Sequence, residues 1–280
     1  MSRDVKITIG ADPELFLKEK STGKLISAHD LLPGTKLKPY PVANGAVQVD
    51  GVAAEFNIDP AQNAEMFSSN CNSVMAKLGV MLPTAHLQIM PAVIFDKEYF
   101  KTLPVNVREL GCNVDYNAWT GQPNPAPDGE STTLRTAAGH IHIGWTRVPD
   151  PMDPTHFSDC CAVVKQLDYY LGAPSLLWDS DNRRRTLYGK AGAFRPKTYG
   201  LEYRTPSNRW LISSKLMEWV WYSSFYAIHS LMNGRTRFFE KYGNYAQEII
   251  DNNNIEEVRT GDFKKKVFAT GDMQMGWPAW

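Results

Sequence analysis

Apolar and polar residues alternate at the start of the chain. Val5, Ile7 and Ile9 stand against Lys6 and Thr8, the period of a strand with one buried face. Gly10-Ala11-Asp12-Pro13-Glu14 and Leu15-Phe16-Leu17 follow. Pro13 has no N–H to donate, which places this stretch at a sheet edge or a bulge. Ser21-Thr22-Gly23 marks a hairpin turn, and residues 24–27 the returning strand. Prolines at 33, 39 and 41 make 31–42 a loop. Residues 46–49 and 52–58 read as strands joined at Asp50-Gly51, a tight-turn pair.

Apolar and small residues over 63–80, with Met66, Val74 and Leu78, predict a helix. Residues 85–95 read as an apolar strand interrupted at Pro91. The Asn, Gly and Pro content of 106–127 predicts a long loop, a frequent place for functional lids. Residues 133–145 form a further strand. Phe157, Cys161, Val164, Leu167 and Leu171 give 155–171 the spacing of an amphipathic helix. Leu176 to Trp178 continues the core. Ser207 or Asn208 caps a long apolar helix running through Met232. One more helix is expected over 236–252, and Lys264-Lys265-Lys266 falls in a polar tail.

Composition narrows the class. The 280 residues suit a single domain, 1–280, and a hydrophobic content of 43% allows a sizeable core. Lys+Arg and Asp+Glu are each 30, a balance that argues against a nucleic-acid-binding protein. Cys71, Cys112, Cys160 and Cys161 form no Cys-x-x-Cys, so reduced structural thiols are expected. The first ten residues lack the apolar run of a signal peptide. The most apolar segment, 216–232, carries Glu218 and His229 and is too short for the usual membrane span. A soluble, cytoplasmic protein is expected. The tryptophans of the long helix leave room for a homo-oligomer interface.

Residues at i and i+2 of a strand point to one face, and three such pairs carry chemistry. Asp12 and Glu14 are two carboxylates that repel unless a cation sits between them. His140 and His142 stand between Gly139 and Gly144, which permit close backbone approach. Glu202 and Arg204 end a basic segment, 183–204, that holds seven Lys or Arg residues. Glu55 is a fourth candidate, sharing a face with Asn57. If one sheet carries them all, its polar face combines carboxylates suited to Mg2+ or Mn2+ with arginines suited to a transferring phosphoryl group. That describes an ATP-binding funnel on an antiparallel sheet, with helices on the other face: an α+β fold. Neither a P-loop nor a Gly-x-Gly-x-x-Gly run occurs.

Gly10-Ala11-Asp12-Pro13-Glu14, Asp50-Gly51 with Glu55-Phe56-Asn57, Gly139-His140-Ile141-His142, Arg185 through Tyr188-Gly189, Phe194-Arg195 and Glu202-Tyr203-Arg204 resemble the phage-type carboxylate–amine ligases (COOH–NH2 ligases, type 2). These are grouped with glutamine synthetase and glutamate–cysteine ligase. The resemblance implies a glutamine-synthetase-like catalytic domain that uses ATP and divalent metals to form an amide through an acyl phosphate. By position it implies Asp12, Glu14, Glu55, His140 and Glu202 as metal ligands. It implies His142, Arg185, Arg195 and Arg204 on the nucleotide, and Arg204, Arg195 and Glu55 as catalytic. Substrates would be a small-molecule or peptide carboxylate and an amine. A counterpart of glutamine synthetase's separate N-terminal domain is not expected in these 280 residues, and that enzyme's ammonia-site residues have no match. Three alternatives stand beside this one: a guanidino-kinase-like phosphotransferase, a zinc hydrolase built on His140, His142, Glu14 and Glu55, and a non-catalytic phage structural or interaction protein.

Overall fold

The computed structural model describes residues 6–110, 114–126 and 132–268. Cys112 lies outside them. The longest strand, β1 (Thr8–Glu19), organises the molecule. Ile9, Ala11, Leu15 and Leu17 point into the main core. The other face presents Asp12 and Glu14, then Phe16, which joins a smaller core with Val52, Val93, Phe95, Phe100 and Val107. Both faces of β1 are therefore covered. Pro13 is accommodated at the middle of the sheet rather than at an edge. The ladder with the next strand begins only at Glu14, so the missing N–H of Pro13 interrupts nothing.

The remaining elements follow in chain order. They are β2 (Leu25–Ile26), β3 (Tyr40–Val42), β4 (Gly45–Asp50), β5 (Ala53–Ile58), α1 (Ala64–Met81), β6 (Ala85–Gln88), β7 (Ala92–Ile94), α2 (Lys97–Thr102), α3 (Val105–Arg108), β8 (Tyr116–Asn117), β9 (Gln122–Pro123), β10 (Leu134–Thr136), β11 (Gly139–Gly144) and α4 (Pro154–Leu167). Then come β12 (Ala193–Lys197), β13 (Gly200–Tyr203), α5 (Ser214–Met232), α6 (Phe238–Tyr242), α7 (Tyr245–Asp251), α8 (Ile255–Arg259) and α9 (Asp262–Phe268). Among the described residues one sheet runs β3-β4-β5-β1-β11-β13-β12-β8-β9, with β2 and β6 also paired to β1. Its strands pair antiparallel throughout. β7 and β10 form a separate two-stranded sheet. Helices α1, α4 and α5 pack with the main-core face of the large sheet. This is the α+β architecture expected from the sequence.

Several expectations are corrected. The proline-rich 31–42 stretch ends in an edge strand, β3. Residues 85–95 are two strands in different sheets, split where Pro91 breaks the run. Segment 133–145 is likewise two strands, β10 and β11. The stretch 106–127 contains part of α3 and the short strands β8 and β9. Helix α4 turns His156 and Cys160 fully inward and leaves Phe157 and Cys161 half-buried. It gives way at Asp168 to a wider π-turn. Ser207 caps a short 3-10 turn, whereas Ser213 caps α5. Residues 236–252 hold two helices, α6 and α7. The lysines 264–266 lie in α9 rather than in a tail. Where the helix over 63–80 was expected, α1 forms, and Asn63 caps it by accepting from Met66 N at 2.7 Å.

Two glycines are required where the sheet meets its surroundings. Gly51 turns β4 into β5 with φ of 53°, a conformation L side chains rarely adopt. Gly139 opens β11 against Ser207–Trp210; a Cβ there would lie 2.2 Å from Trp210 Nε1 and 2.4 Å from Ser207 O. Among the described residues no helix is long and apolar enough to cross a membrane.

Candidate active site

Cross-strand partners in an antiparallel ladder share a face, and the register here lines up one continuous polar row. Gln48 on β4 stands opposite Glu55 on β5. Glu55 stands opposite Glu14 on β1. Two residues before Glu14, Asp12 stands opposite His140 on β11. Two residues after His140, His142 stands opposite Glu202 on β13, which in turn faces Arg195 on β12. The alternate residues Ala11, Leu15, Ala54, Ile141, Tyr203 and Phe194 go to the core. The period of the strands thus separates chemistry from packing.

The row resolves into two clusters. In the first, His140 Nδ1 lies 3.4 Å from Asp12 Oδ1 and 3.4 Å from Glu202 Oε1. Candidate ligand atoms of Asp12, His140 and Glu202 all fall within 4.8 Å of one another. Cations surround Glu202: Arg204 Nη1 in close contact, Lys197 Nζ at 2.7 Å and Arg195 Nη1 at 3.5 Å. Arg204 Nε also reaches Asp115 Oδ2 at 3.0 Å. His142 Nε2 lies 3.1 Å from Asp12 Oδ2, and its Nδ1 is 2.5 Å from the Tyr199 hydroxyl.

Glu14, Asp50 and Glu55 make the second cluster, again with ligand atoms within 4.8 Å. Glu14 Oε2 accepts from Ala138 N at 2.9 Å, and Asp50 Oδ2 is 2.5 Å from Lys36 Nζ. Glu55 is 5% exposed, and among the described residues its Oε2 has no hydrogen-bond donor. Gln48 Oε1 beside it is also buried without a donor. Such orphaned buried acceptors are costly unless something positive meets them.

Electrostatics separate the clusters. Burial acts to raise Glu202, but Arg204, His140, His142 and Lys197 together hold it far below the ordinary carboxyl range. Burial likewise opposes Asp12, and His142 with the hydrogen bonds to His140 and His142 outweighs it, so Asp12 is also held low. Burial and the neighbouring Arg204 bring His140 down to about 4, leaving a neutral imidazole near pH 7, the form that ligates metals. The second cluster is short of cations. Burial, then Asp50, push Glu14 up to about 7. Burial, then Asp12, Asp50 and Glu14, raise Glu55 well above its usual value. A divalent cation fits this deficit, and the oxygen-rich set of Glu14, Asp50 and Glu55 suits Mg2+ or Mn2+.

Two adjoining cavities carry these groups. The first, about 280 Å³, is lined among others by Asp12, Glu14, Glu55, His140, Arg195, Glu202 and Arg204. The second, about 460 Å³, is bounded by His142, Tyr199, Pro39, Ile58, Pro60 and Asn57. Asp12, Lys36, Gln48 and Glu55 line both. The fold therefore gathers seven of the candidate residues in one cavity and sets His142 in the other. Arg185 lies in neither lining. It is buried beside Asp179, at 3.8 Å, and donates to Asn253 Oδ1 at 3.1 Å.

Other groups converge there that sequence reasoning did not single out. Lys197 is two residues from Arg195 on β12, and Gln48 and Asp50 share the polar face of β4. The i, i+2 rule applied to those strands would have found all three. Lys36 and Asp115 come from loop segments, where no periodicity points to them. Arg184, given no role from the sequence, lines the first cavity. It donates to the carbonyls of Thr205 (2.7 Å) and Arg204 (3.0 Å).

No curated protein matches the chain. Residues 136–248, the stretch that contains β11, β12 and β13 and with them His140, His142, Arg195, Glu202 and Arg204, match the family model described as phage phiEco32-like COOH.NH2 ligase-type 2.

Proposed function

We propose that this protein is an ATP-dependent carboxylate–amine ligase that forms an amide through an acyl-phosphate intermediate. The observation that carries this reading is the polar row itself. Two oxygen-rich clusters suited to divalent cations stand side by side, and Arg195, Lys197 and Arg204 close one end. That is the charge pattern of a site for phosphoryl transfer between two anions. The family match over residues 136–248 supports it.

In this reading Asp12, His140 and Glu202 hold one divalent ion, and Glu14, Asp50 and Glu55 a second. Such ions, when bound, offset charge on phosphate oxygens. The less polar cavity, with Tyr199, Pro39, Ile58 and Pro60 in its walls, suits the nucleobase and ribose. His142 borders it on the phosphate side. The substrate carboxylate then lies in the charged cavity. Its oxygen attacks the γ-phosphorus of ATP, the bond to ADP breaks, and an acyl phosphate forms. Arg195, Lys197 and Arg204 are positioned for the charge on the transferring group. The amine next attacks the acyl carbon, the C–O bond to phosphate breaks, and the amine proton passes to water or to a carboxylate of the cavity. Amide, ADP and phosphate result. Arg185 acts in this scheme only through packing, because its guanidinium faces Asp179 and Asn253.

The test is mass spectrometry of small-molecule pools from host cells incubated with protein, ATP and Mg2+. Formation of ADP together with an ion equal to carboxylate plus amine minus water is the expected result. ATP-independent hydrolysis of any pool component, with no condensation product, would overturn the assignment.

A further inference from the structure

The wall between the cavities is formed by Asp12, Lys36, Gln48 and Glu55. Of these only Lys36 is cationic. A polyphosphate lying across that wall would meet two carboxylates and an amide unless Lys36 answers it. Gln48 and Glu55 are both more than nine-tenths buried, and Gln48 Oε1 and Glu55 Oε2 find no donor among the described residues. The wall is thus short of positive charge where an anion would cross it.

Lys36 stands on the loop that precedes β3, not on a strand of the sheet. Its backbone is anchored: Thr35 and Lys38 exchange two hydrogen bonds of 3.1 and 3.0 Å, and Val49 N donates to Gly34 O at 3.4 Å. Its side chain is 45% exposed and is tied at its tip to Asp50 Oδ2. The contact is half-exposed, with Asp50 25% exposed, and so is partly screened by solvent, and the four-carbon stem is flexible. Asp50 also belongs to the Glu14–Asp50–Glu55 set. A cation held by Glu14, Asp50 and Glu55 would take over the charge of Asp50 and leave the Lys36 ammonium free to turn to the boundary of the cavities.

We infer that Lys36 is a phosphate-binding residue that contacts the terminal phosphoryl group of a nucleoside triphosphate where the two cavities meet. The inference rests on the ATP-dependent reading above and adds to it a residue from a loop. It also makes Lys36 and the second-cluster cation alternatives at Asp50.

Calorimetry on the full chain with Mg2+ tests it, using a non-hydrolysable ATP analogue and ADP as separate probes. Lys36→Met is expected to weaken the triphosphate analogue about tenfold, the size of one lost charge-assisted hydrogen bond. ADP affinity is expected to change less than about twofold by the same reasoning, and Lys36→Arg to keep most of the triphosphate affinity. The thermal shift produced by Mg2+ alone should be at least as large in Lys36→Met as in the wild type, because Asp50 is freed. Lys36→Gln serves if the Met variant does not fold. Unchanged triphosphate affinity, or equal losses for both nucleotides, overturns the role of Lys36 while leaving the ligase reading standing. A wild-type protein that binds neither nucleotide overturns both.

Discussion

Glu14 on β1 and Glu55 on β5 are direct partners across their ladder, two carboxylates held face to face at the edge of a charged cavity. Like charges so placed destabilise the sheet that carries them. The arrangement makes physical sense as a cation site, and several measurable consequences follow from it and from its neighbours.

Divalent cations should raise the melting temperature. At [M2+] one hundred times Kd the gain is about 2.7 kcal/mol, or roughly 5 °C for a chain of this size. In Glu55→Gln the metal-free protein should melt higher than the wild type at neutral pH, since a neutral amide escapes the burial and repulsion that push the Glu55 carboxyl up, and the gain from Mg2+ or Mn2+ should shrink. Differential scanning calorimetry with and without metal reads both. A wild-type curve indifferent to either ion would refute the site.

Glu202→Gln is a less silent probe than its place in the sequence implies. Glu202 is 2% exposed and balances Arg204, Lys197 and Arg195. Removing the buried partner of these cations should cost about 3–5 kcal/mol of stability, measured by urea unfolding. Arg195→Gln is the cleaner test of chemistry. Its side chain is 21% exposed, pairs with Glu202 and donates to Val114 O at 3.2 Å, but Arg204 and Lys197 still answer Glu202, so the stability loss should be smaller, about 1–2 kcal/mol, while ADP formation should fall about 10²–10³-fold.

Gly139→Ala places a methyl group against Trp210 Nε1 and the Ser207 carbonyl. Overpacking against backbone should cost about 1–3 kcal/mol and shift the strand that delivers His140. A melting temperature equal to that of the wild type would show that the Ser207–Trp210 turn yields freely.

A pH effect is expected from behind the site. Asp168 is fully buried and accepts from Tyr203 Oη at 2.6 Å and Trp119 Nε1 at 2.7 Å. Burial pushes its carboxyl up from 3.8 to about 7, the two donors restraining the rise. The folded chain therefore keeps this proton over a range where the unfolded chain has lost it. The sign follows: stability falls as pH rises from the unfolded value toward 7, by on the order of 4 kcal/mol. Asp168→Asn should remove that slope from the stability–pH profile. An unaltered slope would place its origin elsewhere.

Much of the site could be read from the chain because its chemistry sits on strands. Asp12 and Glu14, His140 and His142, and Glu202 and Arg204 are spaced by two, and backbone geometry alone puts each pair on one face. What spacing does not encode is which strands become neighbours. Asp50 reads as a turn residue of the β4–β5 hairpin and joins the site only because that hairpin lies beside β1, and Lys36 sits in a proline-rich loop with no period at all. Arg184 and Arg185 show a different limit. They are adjacent in a 3-10 turn, so their side chains diverge; one lines the cavity and the other turns to Asp179 and Asn253. The strands misread as single, 85–95 and 133–145, failed for a related reason. A break such as Pro91 tells where a strand stops, not that the next piece joins another sheet.

The alternation along β1 and β11 also sets which insertions and deletions the chain can tolerate. Adding one residue between Ile9 and Asp12 would leave the composition almost unchanged yet send Asp12 and Glu14 toward α1 and α5, and bring Ala11 and Leu15 into the cavity. Adding two would restore the face but move the carboxylates one pair away from His140 and Glu55. Length variation among functional versions of this protein should therefore collect in the connections, such as 20–24 and 147–153, and be absent from 8–16 and 139–144.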